Sequence, residues 1–152
     1  MIAAHIPVFL ICATLLKLPV AAPIALQLVL TTIVFLGIGL YNKNRELSLD
    51  FTTIPLVLTP GVLVYMLEGQ AWQLDAHMYF FATLAMVIAL KSMRAAFMAT
   101  VAIALHHISL NFLLPYAVFP EGADFARVIF HAVIVVVETA VILFTIRSLL
   151  QN

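Results

Sequence analysis

Residues 94–114 read RAAFMATVAIALHHISLNFLL: one charge, Arg94, at the first position, and two adjacent histidines, His106 and His107, well inside an otherwise apolar run. A helix that crosses a membrane needs about 20 mostly apolar residues, and this stretch meets that length. Outward from it, breakers and charges divide the chain into five more such runs, at 2–17, 22–41, 51–67, 74–90 and 124–146. The chain of 152 residues is 65% apolar and 9% charged, with a mean hydropathy of +1.18. Soluble domains are about 45–50% apolar and about 25% charged, and a domain of this length could not hide so much apolar surface from water. A soluble enzyme and a disordered segment are both excluded. The expected architecture is all-α: a polytopic membrane helix bundle of six transmembrane helices forming one domain over 1–152, with the lipid bilayer as its solvent.

Prolines and charges refine this picture. Pro55, Pro60 and Gly61 predict a kink in the third helix. Pro115, Pro120 and Glu121-Gly122 mark a loop before the last one. Lys43, Arg45, Lys91, Arg94 and Arg147 fall on one side if the helices alternate, and the positive-inside rule makes that side cytoplasmic. Both termini are then cytoplasmic, and Glu68, Asp75, Glu121 and Asp124 collect on the outer side. Seven Lys and Arg balance seven Asp and Glu, so no nucleic-acid partner is expected. The single cysteine, Cys12, excludes an intrachain disulfide and reads as an inert apolar residue.

Four histidines do not belong in lipid. His107 lies eight residues before Pro115, His131 seven after Asp124, and His77 in the opening turns of the fourth helix. At about 1.5 Å per residue these depths are similar, in the outer half of the membrane. Intramembrane polar residues are costly and mark functional sites by default. Asn111 shares a face with His107, while His106 points about 100° away. Arg127 and Glu138 lie on the stripe of His131, one turn above and two below it, and Asp75 could support an imidazole from another helix.

Two ligand chemistries follow. Two imidazoles from facing helices are axial ligands for haem b, held by His77, His107 or His131, with Arg127 near the propionates, Asn111 in support, and Ala104, Ala126 and Ala132 leaving room. The rival is a bare copper or zinc ion on His77, His106, His107 and His131 with Asp75. The plain alternative is that each imidazole is a hydrogen-bonded packing residue, as His106 is expected to be. His5, near the cytoplasmic end of the first run, is read as isolated from this cluster. Trp72, Tyr79 and Tyr116 read as belt anchors. No phosphate loop, GxSxG elbow or nucleophile with an adjacent base is present, so the chain is not expected to be an enzyme.

The segments His5-Ile6-Pro7, Asp75-Ala76-His77-Met78-Tyr79-Phe80-Phe81, 106–115 (HHISLNFLLP), Val118-Phe119-Pro120 and His131-Ala132 with Glu138 resemble the multi-helix N-terminal membrane module of bacterial methyl-accepting chemotaxis proteins and related transmembrane signalling proteins. That resemblance spans most of the chain and is strongest from Trp72 to Glu138. It implies a sensory input role in the bacterial inner membrane and a cytoplasmic signalling domain downstream of Asn152. It also implies that His77, His107 and His131 hold the sensed ligand or its cofactor, with Arg127, Asn111 and Glu138 in support. Signalling through parallel helices further predicts a homodimer. Together these readings lead to a sensor of oxygen, redox state or a diatomic gas, a copper or zinc receptor, or a haem electron-transfer protein.

Overall fold

The computed structural model describes residues 2–151. It is all-helical: a 3-10 turn Ile2–Ala4 leads into α1 (His5–Leu16), followed by α2 (Ala21–Leu40), α3 (Arg45–Met66), α4 (Gln73–His77), α5 (Tyr79–Met86) with a 3-10 extension Val87–Leu90, α6 (Met93–Leu113), a 3-10 turn Pro115–Ala117, and α7 (Phe125–Gln151). Five segments, Ala21–Leu40, Arg45–Met66, Gln73–Leu90, Met93–Leu113 and Phe125–Gln151, are long and apolar enough to cross a bilayer. The chain is therefore built as a multi-pass membrane bundle.

Local chemistry sets the helix ends. The Asn44 side chain accepts a hydrogen bond from Leu47 N at 3.0 Å and starts α3. Ser92 Oγ does the same for Ala95 N at 3.2 Å and starts α6. Such caps satisfy amide donors that a first turn leaves orphaned. α3 runs through Pro55 and Pro60 as one continuous helix and is the most enclosed of the five. α2 packs on it from one side and α6 from another, with α4 and α5 against it and α7 against α6. Small residues set the closest approach. A Cβ on Gly37 would sit 2.6 Å from Phe51 Cβ and 3.2 Å from Ser48 O, whereas one on Gly39 would meet nothing within 4 Å.

Three expectations need correction. The first apolar run forms a helix of 12 residues after its 3-10 turn, shorter than the other five segments and short of a full span. Its start also does not reach the end of the bundle where Lys43 and Lys91 lie: Gln27 Nε2 donates to Ile2 O at 3.2 Å, and Gln27 is only six residues into α2, about 9 Å from its Ala21 end. α3 begins at Arg45 rather than 51, because Asp50, a charge that seemed to bound the apolar run, is nearly buried and paired with Arg94 at 2.6 Å. The fourth run is not one α-helix but is interrupted at Met78, immediately after His77, where Met78 N and Phe81 N take i−3 bonds of 3.1 and 3.2 Å.

Candidate functional site: a converging imidazole cluster

Connections 67–72 and 114–124 share one end of the bundle, called distal below. His77 lies four residues from the start of α4, His107 six from the end of α6 and His131 six from the start of α7, so all three sit within about 9 Å of that end. They converge. Ring centroids are 5.1 Å apart for His77–His107, 5.1 Å for His77–His131 and 6.0 Å for His107–His131. His77 and His107 are 4% and 5% exposed, which leaves no water to solvate their nitrogens. Phe119, from the 114–124 connection, stacks on His77 at 5.9 Å and 20°; Phe80 closes the other side at 5.4 Å from His77 and 5.0 Å from His107.

The hydrogen bonds fix which nitrogen of each ring is spoken for. His107 Nδ1 bonds to Ile103 O at 2.9 Å, and His131 Nδ1 to Arg127 O at 2.9 Å. A carbonyl only accepts, so both Nδ1 atoms carry the proton, and in the neutral ring each Nε2 keeps a lone pair. Metal-ligating histidines commonly show this arrangement, with the second nitrogen donating to a backbone carbonyl. His107 Nε2 lies 3.0 Å from His77 Nε2. With the His107 proton on Nδ1, His77 Nε2–H donates to the His107 Nε2 lone pair, and a metal ion at this point would have to take that proton's place.

The other residues picked out by sequence fall in different places. Arg127 is paired to Glu121 at 2.6 Å and Asp124 at 3.7 Å and lies over Phe119 at 5.5 Å, so it ties the 114–124 connection to α7. Asn111, 1% exposed, accepts from Asp124 N at 2.8 Å and also ties that connection to α6. Asp75 is exposed and bonds to none of the rings. His106 stands outside the trio: it touches His107 at 5.3 Å and Phe80 at 5.4 Å, and its ring covers Gly61 of α3. Glu138 lies seven residues beyond His131, about 10 Å deeper, with Oε2 buried and without a hydrogen-bond partner among the described residues. His5 is not isolated; its Nε2 bonds to Tyr79 Oη at 2.7 Å and its Nδ1 to Ile2 O at 3.0 Å. Tyr79 is thus an internal partner and not a belt residue. Only the aromatic walls, Phe80 and Phe119, were missed by sequence reasoning, because nothing in periodicity marks which phenylalanines face a polar cluster.

A porphyrin does not fit this arrangement. Axial imidazoles must stand on opposite faces of a flat ring, whereas His77 and His107 meet nitrogen to nitrogen at 3.0 Å. The gap between His107 and His131, walled by Ala104 and Ala132, has a volume of only about 80 Å³, against about 300–1,000 Å³ for pockets that bury a sizeable organic ligand. A bare ion needs far less room. With metal–nitrogen bonds of about 2.0–2.1 Å, three imidazoles around one ion have centroids about 5–6 Å apart, the spacing found here. Among the described residues no group of three or more His, Cys, Asp or Glu is placed so that it could hold a metal ion; an ion would have to reorient the rings to bind.

Comparison with known proteins gives no match to a family model, to a curated protein or to a solved structure. The likeness to chemotaxis-receptor input modules rests on sequence motifs alone.

Proposed function

We propose that this chain is a sensory input module of a bacterial inner membrane that binds one copper or zinc ion through His77, His107 and His131. The observation that carries the reading is the convergence of three rings from three elements, two of them with Nδ1 committed to a backbone carbonyl and Nε2 left to accept. Imidazole nitrogens of this kind suit either metal. Binding draws the rings together, and the elements that carry them differ in stiffness: His77 precedes the interruption at Met78, while His131 lies on an unbroken α7. A shift of α7 at His131 is transmitted along 20 further residues to Gln151, about 30 Å of helix. A ligand drives such a switch only by binding two conformations unequally, and rings apart against rings gathered are two such conformations. Cytoplasmic output and a dimer extend the reading by the sequence resemblance.

Elemental analysis of detergent-purified protein, with its absorption spectrum, tests the proposal. One copper or zinc per chain with no Soret band is expected, and its loss in His107→Ala and His131→Ala. A Soret band, or metal-free protein that does not take up either ion, overturns it.

A further inference from the structure

The first turn of α1 is tied to two other helices, although α1 itself is short. Ile2 O accepts two hydrogen bonds, from His5 Nδ1 at 3.0 Å and from Gln27 Nε2 of α2 at 3.2 Å, as the two lone pairs of a carbonyl allow. The His5 proton is therefore on Nδ1, and in the neutral ring Nε2 is an acceptor. It lies 2.7 Å from Tyr79 Oη, so the phenol donates and the bonds run in series from Tyr79 to His5 to Ile2. Tyr79 is the first residue of α5, directly after the interruption at Met78 and two residues from His77. Its neighbour Phe80 touches both His77 and His107, at 5.4 and 5.0 Å. At the break Met78 N and Phe81 N take i−3 bonds, whose geometry is poorer than that of an α-helix. The angle at which α4 presents His77 then depends on what fastens the start of α5.

We infer that His5 and Tyr79 are positioning residues: their bond fastens the start of α5 to α1 and fixes the direction in which His77 enters the imidazole cluster. In hydrocarbon no water replaces a lost partner, so the bond has no local substitute. Among the described residues the His5 ring meets Phe9 and Tyr79 and none of the other histidines, so its direct route to His77 is through Tyr79. Such a bond can bias the cluster by no more than it is worth, about threefold in an equilibrium constant for an average hydrogen bond between membrane helices. The coupling is reciprocal: a shift of α1 is felt at His77, and a change at His77 is felt at α1. Its effect on metal affinity rests on the copper or zinc reading; its effect on the His77–His107 bond does not.

The test uses the full chain in detergent, with nitrogen-labelled histidine and metal removed by chelator. The ring-nitrogen shifts of His77 and His107 report their tautomers and the bond between them. Tyr79→Phe, which removes only the hydroxyl, and His5→Leu, which removes the acceptor, are each expected to move the His77 signals. His5→Gln, which returns an oxygen acceptor at about the reach of Nε2, is expected to restore them. Thr14→Val, at an exposed α1 hydroxyl bonded to Ile11 O, is the control and should leave them in place. His77 signals unmoved in both Tyr79→Phe and His5→Leu, moved as far by Thr14→Val, or not restored in His5→Gln each overturn the proposal. In a copper or zinc titration Tyr79→Phe is expected to weaken binding about threefold. Unmutated protein that takes up neither ion removes the metal reading alone, and the nitrogen shifts still decide this one.

Discussion

At the scale of single residues, the account turns on which nitrogen is free. His107 and His131 each spend Nδ1 on the carbonyl four residues earlier; replacing either removes an acceptor from the cluster. Loss of a second-shell partner typically costs 10–100-fold in metal affinity, so His107→Ala or His131→Ala should cost at least about 100-fold in a copper or zinc titration. Asp75→Ala, which touches no ring, should leave the affinity unchanged. A separate test concerns Thr139, whose hydroxyl lies 2.7 Å from that of Thr100 while each also bonds a carbonyl of its own helix. Bonds of this kind between membrane helices average about 0.6 kcal/mol; Thr139→Val should lower unfolding stability by about that much, read by denaturant titration in detergent. The depths of the four histidines were legible because rise per residue is fixed once a helix is recognised. The roles of Arg127 and Asn111 were not: both bind a connection whose path back over the helix ends no periodicity encodes.

At the scale of elements, apolar length and breakers placed most helix ends to within three residues; the exceptions are the start of α3, six residues early at a buried charge, the end of α7, five residues late at Gln151, and the break at Met78. Asp50 looks like a boundary in one dimension and is an internal ion-pair partner of Arg94 in three. Breaking a pair of this kind strands the buried carboxylate, so Arg94→Ala is expected to lower the thermal midpoint. Close contact between α2 and α3 depends on one glycine and not its neighbour. Gly37→Val should destabilise by about 1–3 kcal/mol through overpacking against Phe51, while Gly39→Val, facing open space, should be near neutral. Equal effects in a thermal unfolding series would show that the helices approach differently. The interruption at Met78 has no breaker to announce it, neither Gly nor Pro, and it falls where His77 turns into the cluster.

At the scale of the whole molecule, composition alone excluded a soluble domain, and the five long apolar helices agree with it. The first run could not be judged by composition, because a half-length helix and a tilted full span are equally apolar; the bonds of Ile2 and His5 to Gln27 and Tyr79 decide how it packs. Alternating passage of five helices puts Lys43 and Lys91 on one side of the membrane and Gln70 and Glu121 on the other. In a Cys12→Ala background, single cysteines at 70 and 121 should react with an impermeant maleimide added outside intact cells, and those at 43 and 91 only after lysis. The central claim concerns what the three rings share. K-edge X-ray absorption on copper- or zinc-loaded protein measures it most directly: the account predicts three imidazole nitrogens at about 2.0–2.1 Å. An all-oxygen shell, or a single imidazole, would contradict it.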